Sequence, residues 1–509
     1  MYSTGPDNYE TLFNQYRDDS AILRTEKYAL WSLPTVFART ELRNGKQEPV
    51  ERDYQSVGAM LTNTLASKIT ELLFPSNQSF FRLDSTVNAD AMASALATDT
   101  KALASGLAAL ENTAYRRIFL KSSYHQLMHA IKLLIVTGNA LVYRDSAGTN
   151  IHTYSLRQFS VQRDGSGKVM DIILKERTSP AALPPKYQHL FADRKPHDEL
   201  CLYTRIQRMW ATVTDTFHVT QCVEDVMLDT DELYPEAICP YIPVTWNLIT
   251  GENNGRGLVE DYAGDFAKLS ELSEALALYE IEACRVLHMA KPGSGVDVDS
   301  VAETESGGWV AADPTAVQAY EAGDAAKIQQ MLADIQSIIQ RLAPAFMYGG
   351  NTRDAERVTA EEIRSQADEA NRTLGGVYSA LADNLHIPLA HILCNEVNPD
   401  FISEVLAEGL TLSVLTGVAA LGRSADVTKM LQVAQALAVI LPVFTQATKR
   451  IDPELVITKV FEGFGLNIED YARSEEQLQE LLAQSETPAT PVATDVSGVA
   501  GAISDQGVL

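Results

Sequence analysis

Two histidines one helical turn apart, His125 and His129 in "HQLMH", have the spacing of a zinc-hydrolase helix, in which both imidazoles face one metal and a glutamate between them is the general base. Here Gln126 takes the glutamate's place and no third ligand follows, so the pair reads as surface or packing histidines. A metal-dependent hydrolase built on them stands as a rival reading. His386 and His391, five apart across Pro388, read as core residues. The stretch "RDGSGK", Arg163 to Lys168, has a phosphate loop's end, but position 162 is not glycine and Val169 stands where Ser or Thr would hold magnesium. It reads as a hairpin turn. "NNGRGLVEDYAGD" has glycines without the strand, turn and helix order of a dinucleotide site, and marks a junction. There is no GxSxG elbow. Cys201, Cys222, Cys239, Cys284 and Cys394 form no CxxC pair and read as buried thiols of a reducing compartment. No catalytic residue, metal or cofactor is expected.

The elements that carry these residues belong to a folded chain. Its 509 residues are 46% apolar and 21% charged, enough for two to four ordinary cores. The 67 acidic and 41 basic residues leave a formal charge of -26, which disfavours general attraction to nucleic acid or an anionic membrane. No basic stripe interleaved with aromatics argues for tight DNA binding. The N-terminus lacks a signal-peptide pattern. Val427 to Phe444 contains Lys429, Gln432, Gln435 and Pro442, and is too interrupted for a membrane span, so a helix buried in protein is expected.

The pattern is α+β and mostly helical. From Tyr9 to about Thr137 it is helical, with Val57, Leu61, Leu65, Ile69, Leu72 and Leu73 on one stripe that stops at Pro75, and a second amphipathic run over Tyr124 to Val136. After "TGN" four segments read as strands of an inserted sheet: "ALVYRD", "QFSVQRDGSGKVMDIILKER", "ELCLYTRIQRMW" and "DTFHVTQCVE". A long helix is predicted over Val259 to Met289, about 45 Å at 1.5 Å per residue. A second is predicted over Asp324 to Ala343 with Pro344 as its stop, the two joined by an acidic, glycine-bearing loop. "RVTAEEIR" starts a further helix with a capping box at Thr359 and Glu362; its stripe runs through Ile363, Ala367, Ala370, Leu374, Val377 and Leu381, with a bend or close approach expected at Gly375 and Gly376. Residues 485–509 read as a mobile tail.

The segment "YQSVGAMLTNTLASKITELLFP" resembles one in the portal, or head-to-tail connector, proteins of short-tailed bacteriophages of the autographivirus kind. Further matches follow in the family's order: "LIVTGNALVY", "VQRDGSGKV", "GRGLVEDYAGD", "AFMYGGNTRDAERVTAEEIR", "LGGVYSAL" and "GVAALGR". The resemblance spans about residues 20 to 450. It implies a non-enzymatic ring, usually of twelve subunits, at one capsid vertex, through which double-stranded DNA is packaged and later ejected. It implies a wing over 1–258, a first stem helix over 259–289, a clip over 290–323 and a second stem helix over 324–345. A tunnel loop and wing helix over 346–400, a crown over 401–484 and the tail complete the plan. The implied partners are further copies of the chain, major capsid and scaffolding proteins, the terminase large subunit, a tail adaptor, and internal core or ejection proteins, with no membrane. The virion, assembled in the host cytoplasm, is the implied location.

By position the resemblance assigns the tunnel loop to Tyr348, Gly349, Gly350, Asn351, Thr352, Arg353 and Asp354, with Arg357 beside it; Arg353 and Arg357 could touch phosphates in passing. It assigns a docking surface to the clip's Asp297, Asp299, Glu303, Glu305 and Asp313, with Trp309 as interface anchor. A tail adaptor or helical scaffold without a DNA channel is the second rival.

Overall fold

A computed structural model describes residues 8–38, 53–75, 79–83, 100–119, 123–145, 150–210, 215–284, 286–306, 308–309, 313, 315–321, 324–348, 372, 376–407, 414–416 and 457. The chain divides into two compact units, Met1–Arg423 and Ser424–Leu509, and the elements below lie in the first.

Short polar residues start the N-terminal helices. Asn8 accepts from the Glu10 and Thr11 amides ahead of α1 (Tyr9–Tyr16), and Asp18 from the Ala21 amide ahead of α2 (Asp19–Trp31). The predicted stripe forms α3 (Val57–Leu73), whose Leu61, Leu65, Ile69, Leu72 and Leu73 are buried. After β1 (Phe81–Leu83) come α4 (Thr100–Arg116) and α5 (Ser123–Thr137), the latter matching the second amphipathic run. Helices α3 and α5 pack on each other at the centre of the main core.

The period then changes as expected, but the strands form two antiparallel sheets rather than one. The first orders β3 (Ile151–Tyr154), β2 (Asn139–Arg144) and β9 (Tyr241–Thr245). The second is a meander of β4 (Phe159–Arg163), β5 (Val169–Thr178), β6 (Leu200–Met209), β7 (Thr216–Val223) and β8 (Val226–Pro235). A one-turn helix, α6 (Pro185–Gln188), lies between β5 and β6. The "DGSG" turn joins β4 to β5. The Asp164 carboxylate accepts from the Ser166 and Lys168 amides, and Gly167 takes φ +89°. Across the meander lies α1, with Phe13 edge-on to Tyr203.

The long-helix expectation needs correction at both ends. The helix begins as one turn, α7 (Leu258–Asp261), breaks at Tyr262, and runs as α8 over Ala263–Ala283. Val286 to Ala290 is instead strand β10, paired antiparallel with β11 (Val317–Glu321), with the six-residue α9 (Val298–Glu303) between them. A short, largely apolar run at a helix end looks alike in either state, and the ladder to a strand about thirty residues on decides between them. The second rod is α10 (Ala325–Ala345), started as predicted by Asp324, whose side chain accepts from the Ala326 amide at 3.0 Å. Pro344 lies within its last turn instead of stopping it.

The two rods run antiparallel. Arg341 near the end of α10 reaches Asp265 near the start of α8 at 2.6 Å, and the Asp324 amide donates to the Tyr279 hydroxyl at 2.8 Å. Only their inner halves enter the core: Phe266, Leu269, Ile338 and Leu342 are buried, whereas Leu278, Ile281 and Leu332 are exposed.

Residues 349–371, including the predicted start of the wing helix at Val358, lie outside the described residues. At Gly376 the backbone is left-handed (φ +88°) and a new helix, α11 (Val377–Leu381), starts there, so the stripe through Leu381 is not one helix. The residues before Gly376 on which the expected bend depends, 373–375, lie outside the described residues; a close approach at Gly376 is absent, since a side chain there would meet nothing within 4 Å. A π-helical turn (Ala382–His386) leads into α12 (Ile387–Val397). Pro388 has no amide and its ring crowds the carbonyl four residues back, and a widened turn relieves both. Then follow α13 (Pro399–Ala407) and β12 (Val414–Thr416), which pairs with β1. Among the described residues no helix is long and apolar enough to cross a membrane, and Val427–Phe444 lies outside them.

Candidate functional site

Of the two histidines with catalytic spacing, His125 is exposed and His129 partly buried. His125 and His129 lie on α5, and burial, then the neighbouring His125 and Lys132, holds His129 below the usual imidazole range. Among the described residues no three of His, Cys, Asp and Glu converge as a metal-binding group. His386 and His391 are buried as expected. Cys222, Cys239 and Cys394 are buried too, but Cys201 is half-buried and Cys284, at the outer end of α8, is exposed, so the expectation of five buried thiols is corrected.

The glycines of "TGN" and "NGRG" interlock. The Gly255 amide donates to Asn139 Oδ1 at 2.7 Å, and Asn139 Nδ2 donates to the Gly255 carbonyl at 2.7 Å and the Thr137 carbonyl at 2.9 Å. A Cβ on Gly138 would sit 2.4 Å from the Arg256 carbonyl carbon, and one on Gly257 2.7 Å from the Ile135 oxygen. Backbone on backbone leaves room for hydrogen alone. This joint fixes the root of the first rod to the α5–β2 turn, and Arg256, forked between Glu252 at 2.6 Å and Glu260 at 2.8 Å, braces it outside.

The rods carry a small module at their outer end. Here β10, α9 and β11 hold all five predicted carboxylates: Asp297 starts α9, Asp299 and Glu303 lie on it, and Glu305 and Asp313 follow, all exposed. The Thr315 amide and hydroxyl donate to Asp313 and hold its carboxyl below the usual range. Trp309 is 100% exposed, so it does not pack within its own loop. Of the predicted tunnel-loop residues the structure places Tyr348, three residues beyond α10 and exposed; Gly349 to Asp354 and Arg357 lie outside the described residues. The chain arrives at Tyr348 through Met347, whose carbonyl accepts from Lys68 Nζ at 2.6 Å. Sequence reading missed Lys68, because its partner lies 279 positions away.

The chain matches the family model for the bacteriophage head to tail connecting protein over residues 17–469. It is 39% identical over 472 residues to the portal protein of Pseudomonas phage phiKMV, covering 92% of this chain and 92% of that one. It is 28% identical over 497 residues to the portal protein of Escherichia phage T7, covering 94% and 91%. Among solved structures, a chain from the virion of a native gene transfer agent particle aligns over 87% of this chain and 93% of its own, at 12% identity and a TM-score of 0.36.

Proposed function

The chain belongs to the bacteriophage head to tail connecting protein family, and from that premise we propose that it is the portal of a short-tailed phage. Identical subunits, usually twelve in the family, form a ring at one capsid vertex that double-stranded DNA enters during packaging and leaves at ejection. The match to a relative named a portal protein over 92% of both chains carries this reading. Hydrolysis of ATP would belong to a separate motor, and the ring itself performs no catalysis.

Anatomy follows from the same premise. The two sheets with α1 to α5 form the wing, α8 and α10 the stem, and the β10–α9–β11 module the clip. The clip would dock the terminase large subunit first and the tail adaptor afterwards, with Trp309 as its aromatic anchor beside exposed carboxylates. Residues 401–484 form the crown, and the wing and crown meet capsid, scaffolding and internal core proteins. Support for the stem comes from Leu278, Ile281 and Leu332, which leave apolar surface on the outer halves of both rods for neighbouring subunits to cover.

Native mass spectrometry and negative-stain images of the purified assembly test this. Closed rings with an open centre are expected; a solid particle, or a hole too narrow for duplex DNA, would favour a tail adaptor instead. Replacing Gly349 and Gly350 with valine should leave rings intact and lower DNA content per particle. Normal packaging and infectivity by that mutant would overturn the tunnel-loop assignment.

A further inference from the structure

Met347, where the second rod ends, adopts φ +52°, a left-handed backbone that costs a side-chain-bearing residue free energy. Three hydrogen bonds wind the end of α10 up to it: the Phe346 amide donates to Leu342 O at 3.2 Å, the Met347 amide to Pro344 O at 3.0 Å, and the Tyr348 amide back to Ala343 O at 2.7 Å. These satisfy carbonyls that a helix C-terminus leaves open. The Met347 carbonyl is met from elsewhere, by the ammonium of Lys68 at 2.6 Å. A cation at this end also suits the negative pole of the α10 dipole.

Lys68 is well mounted for the task. It stands on α3 between Leu65 and Ile69, which are 0% and 1% exposed, so the base of its side chain is fixed in the main core. Phe346, next to the turn, is buried against Tyr262 and Phe266 with ring centroids 6.0 and 5.7 Å away. The rod end is therefore gripped on one side by aromatics and on the other by one charged hydrogen bond. The aromatics fix where the helix stops; the bond to the carbonyl fixes the plane of the peptide that leads out.

We propose that Lys68 is a positioning residue that holds the left-handed exit at Met347 and so sets the direction in which Tyr348 leaves the stem for the DNA path. The geometry stands by itself; the consequence for DNA rests on the portal reading.

Hydrogen exchange of the assembled full-length protein tests the geometry, and DNA content of particles complemented with each variant tests the consequence. In K68M rings, amide exchange over 342–348 should rise at least tenfold with the sheets unchanged, and DNA per particle should fall. K68R, which keeps a cationic donor, should stay close to wild type. Adding Met347→Gly to K68M should restore part of the protection, because glycine takes the left-handed conformation without a Cβ penalty. Wild-type exchange over 342–348 in K68M, or a rise spread evenly over the whole chain, would overturn the clamp. A loosened exit with normal DNA content would overturn its role in the DNA path. Wild-type rings without an open centre would remove the portal reading and leave the exchange result standing.

Discussion

His386 sits wholly inside the protein, and among the described residues neither ring nitrogen has a hydrogen-bond partner. Its ring lies edge-on to Phe74 and Phe80, with centroids 5.0 and 4.8 Å away. Burial pushes its pKa down to about 3, and that of His391 to about 4, from an ordinary value of 6.5. Above pH 6.5 both are neutral whether the chain is folded or unfolded. Below it the unfolded chain takes up protons that the folded chain refuses, so stability declines from about pH 6.5 towards pH 4, by about 1.4 kcal/mol per pH unit for each histidine. The decline levels off once the folded state is protonated as well. Urea midpoints of wild type and His386→Phe at several pH values should show the variant's slope flatter by close to one proton between pH 6 and 4. Equal slopes would mean that the imidazole is not held neutral. At this scale the sequence was readable where a residue's own neighbours along the chain decide its place, as for both core histidines. It was silent on Lys68 with Met347 and on Asn139 with Gly255, whose partners lie 279 and 116 positions away.

Between elements, one buried tie is the pair of Arg144 on β2 and Glu396 on α12. Arg144 is 1% exposed and donates through Nε at 2.7 Å and Nη2 at 3.0 Å to the two carboxylate oxygens. Its Nη1 also reaches Ser123 Oγ at 3.3 Å. A forked, buried pair of this kind adds little relative to an apolar filling, but removing one member strands the other charge away from water. Glu396→Ala should therefore cost about 3–5 kcal/mol in chemical denaturation, and a loss below about 1 kcal/mol would show that water reaches Arg144. Helices with a clear stripe were legible: α3, α5 and the middle of both rods follow from spacing alone. The ends were not. Val286 to Ala290 carries the helix's apolar rhythm yet pairs with Val317 to Glu321, and the stripe through Leu381 is broken by a glycine at positive φ. Long-range pairing and backbone handedness leave no mark on hydrophobic spacing. The same limit hid β3, β8 and β9 and made two sheets look like one.

For the whole molecule, the charge of -26 bears on how duplex DNA is handled. DNA presents a phosphate every ~1.7 Å, and a wall of lysines would gain affinity with each one neutralised through counterion release. A conduit works only if its wall does not hold its cargo. Purified assembly should therefore retain little duplex DNA, and lowering salt from about 200 to 50 mM should not produce the ~10³-fold or greater gain expected of a protein that makes many phosphate contacts. A steep salt dependence would place a basic lining in the channel. The family was legible at this scale because several motifs recur in a fixed order along the chain, something no single motif provides.

Among the described residues no strand pairs with the outer side of β8, the last strand of the meander, which exposes Asp229, Asp231 and Glu232 together with Met227 and Leu233. An open row of peptide groups invites another chain to stack on it and grow into fibrils. Three carboxylates repel a second copy of the same strand, so newly made subunits can stay dissolved at high concentration in an infected cell until they are recruited. High salt, which screens charges on an exposed strand, weakens that safeguard, and the free subunit is best stored at low ionic strength.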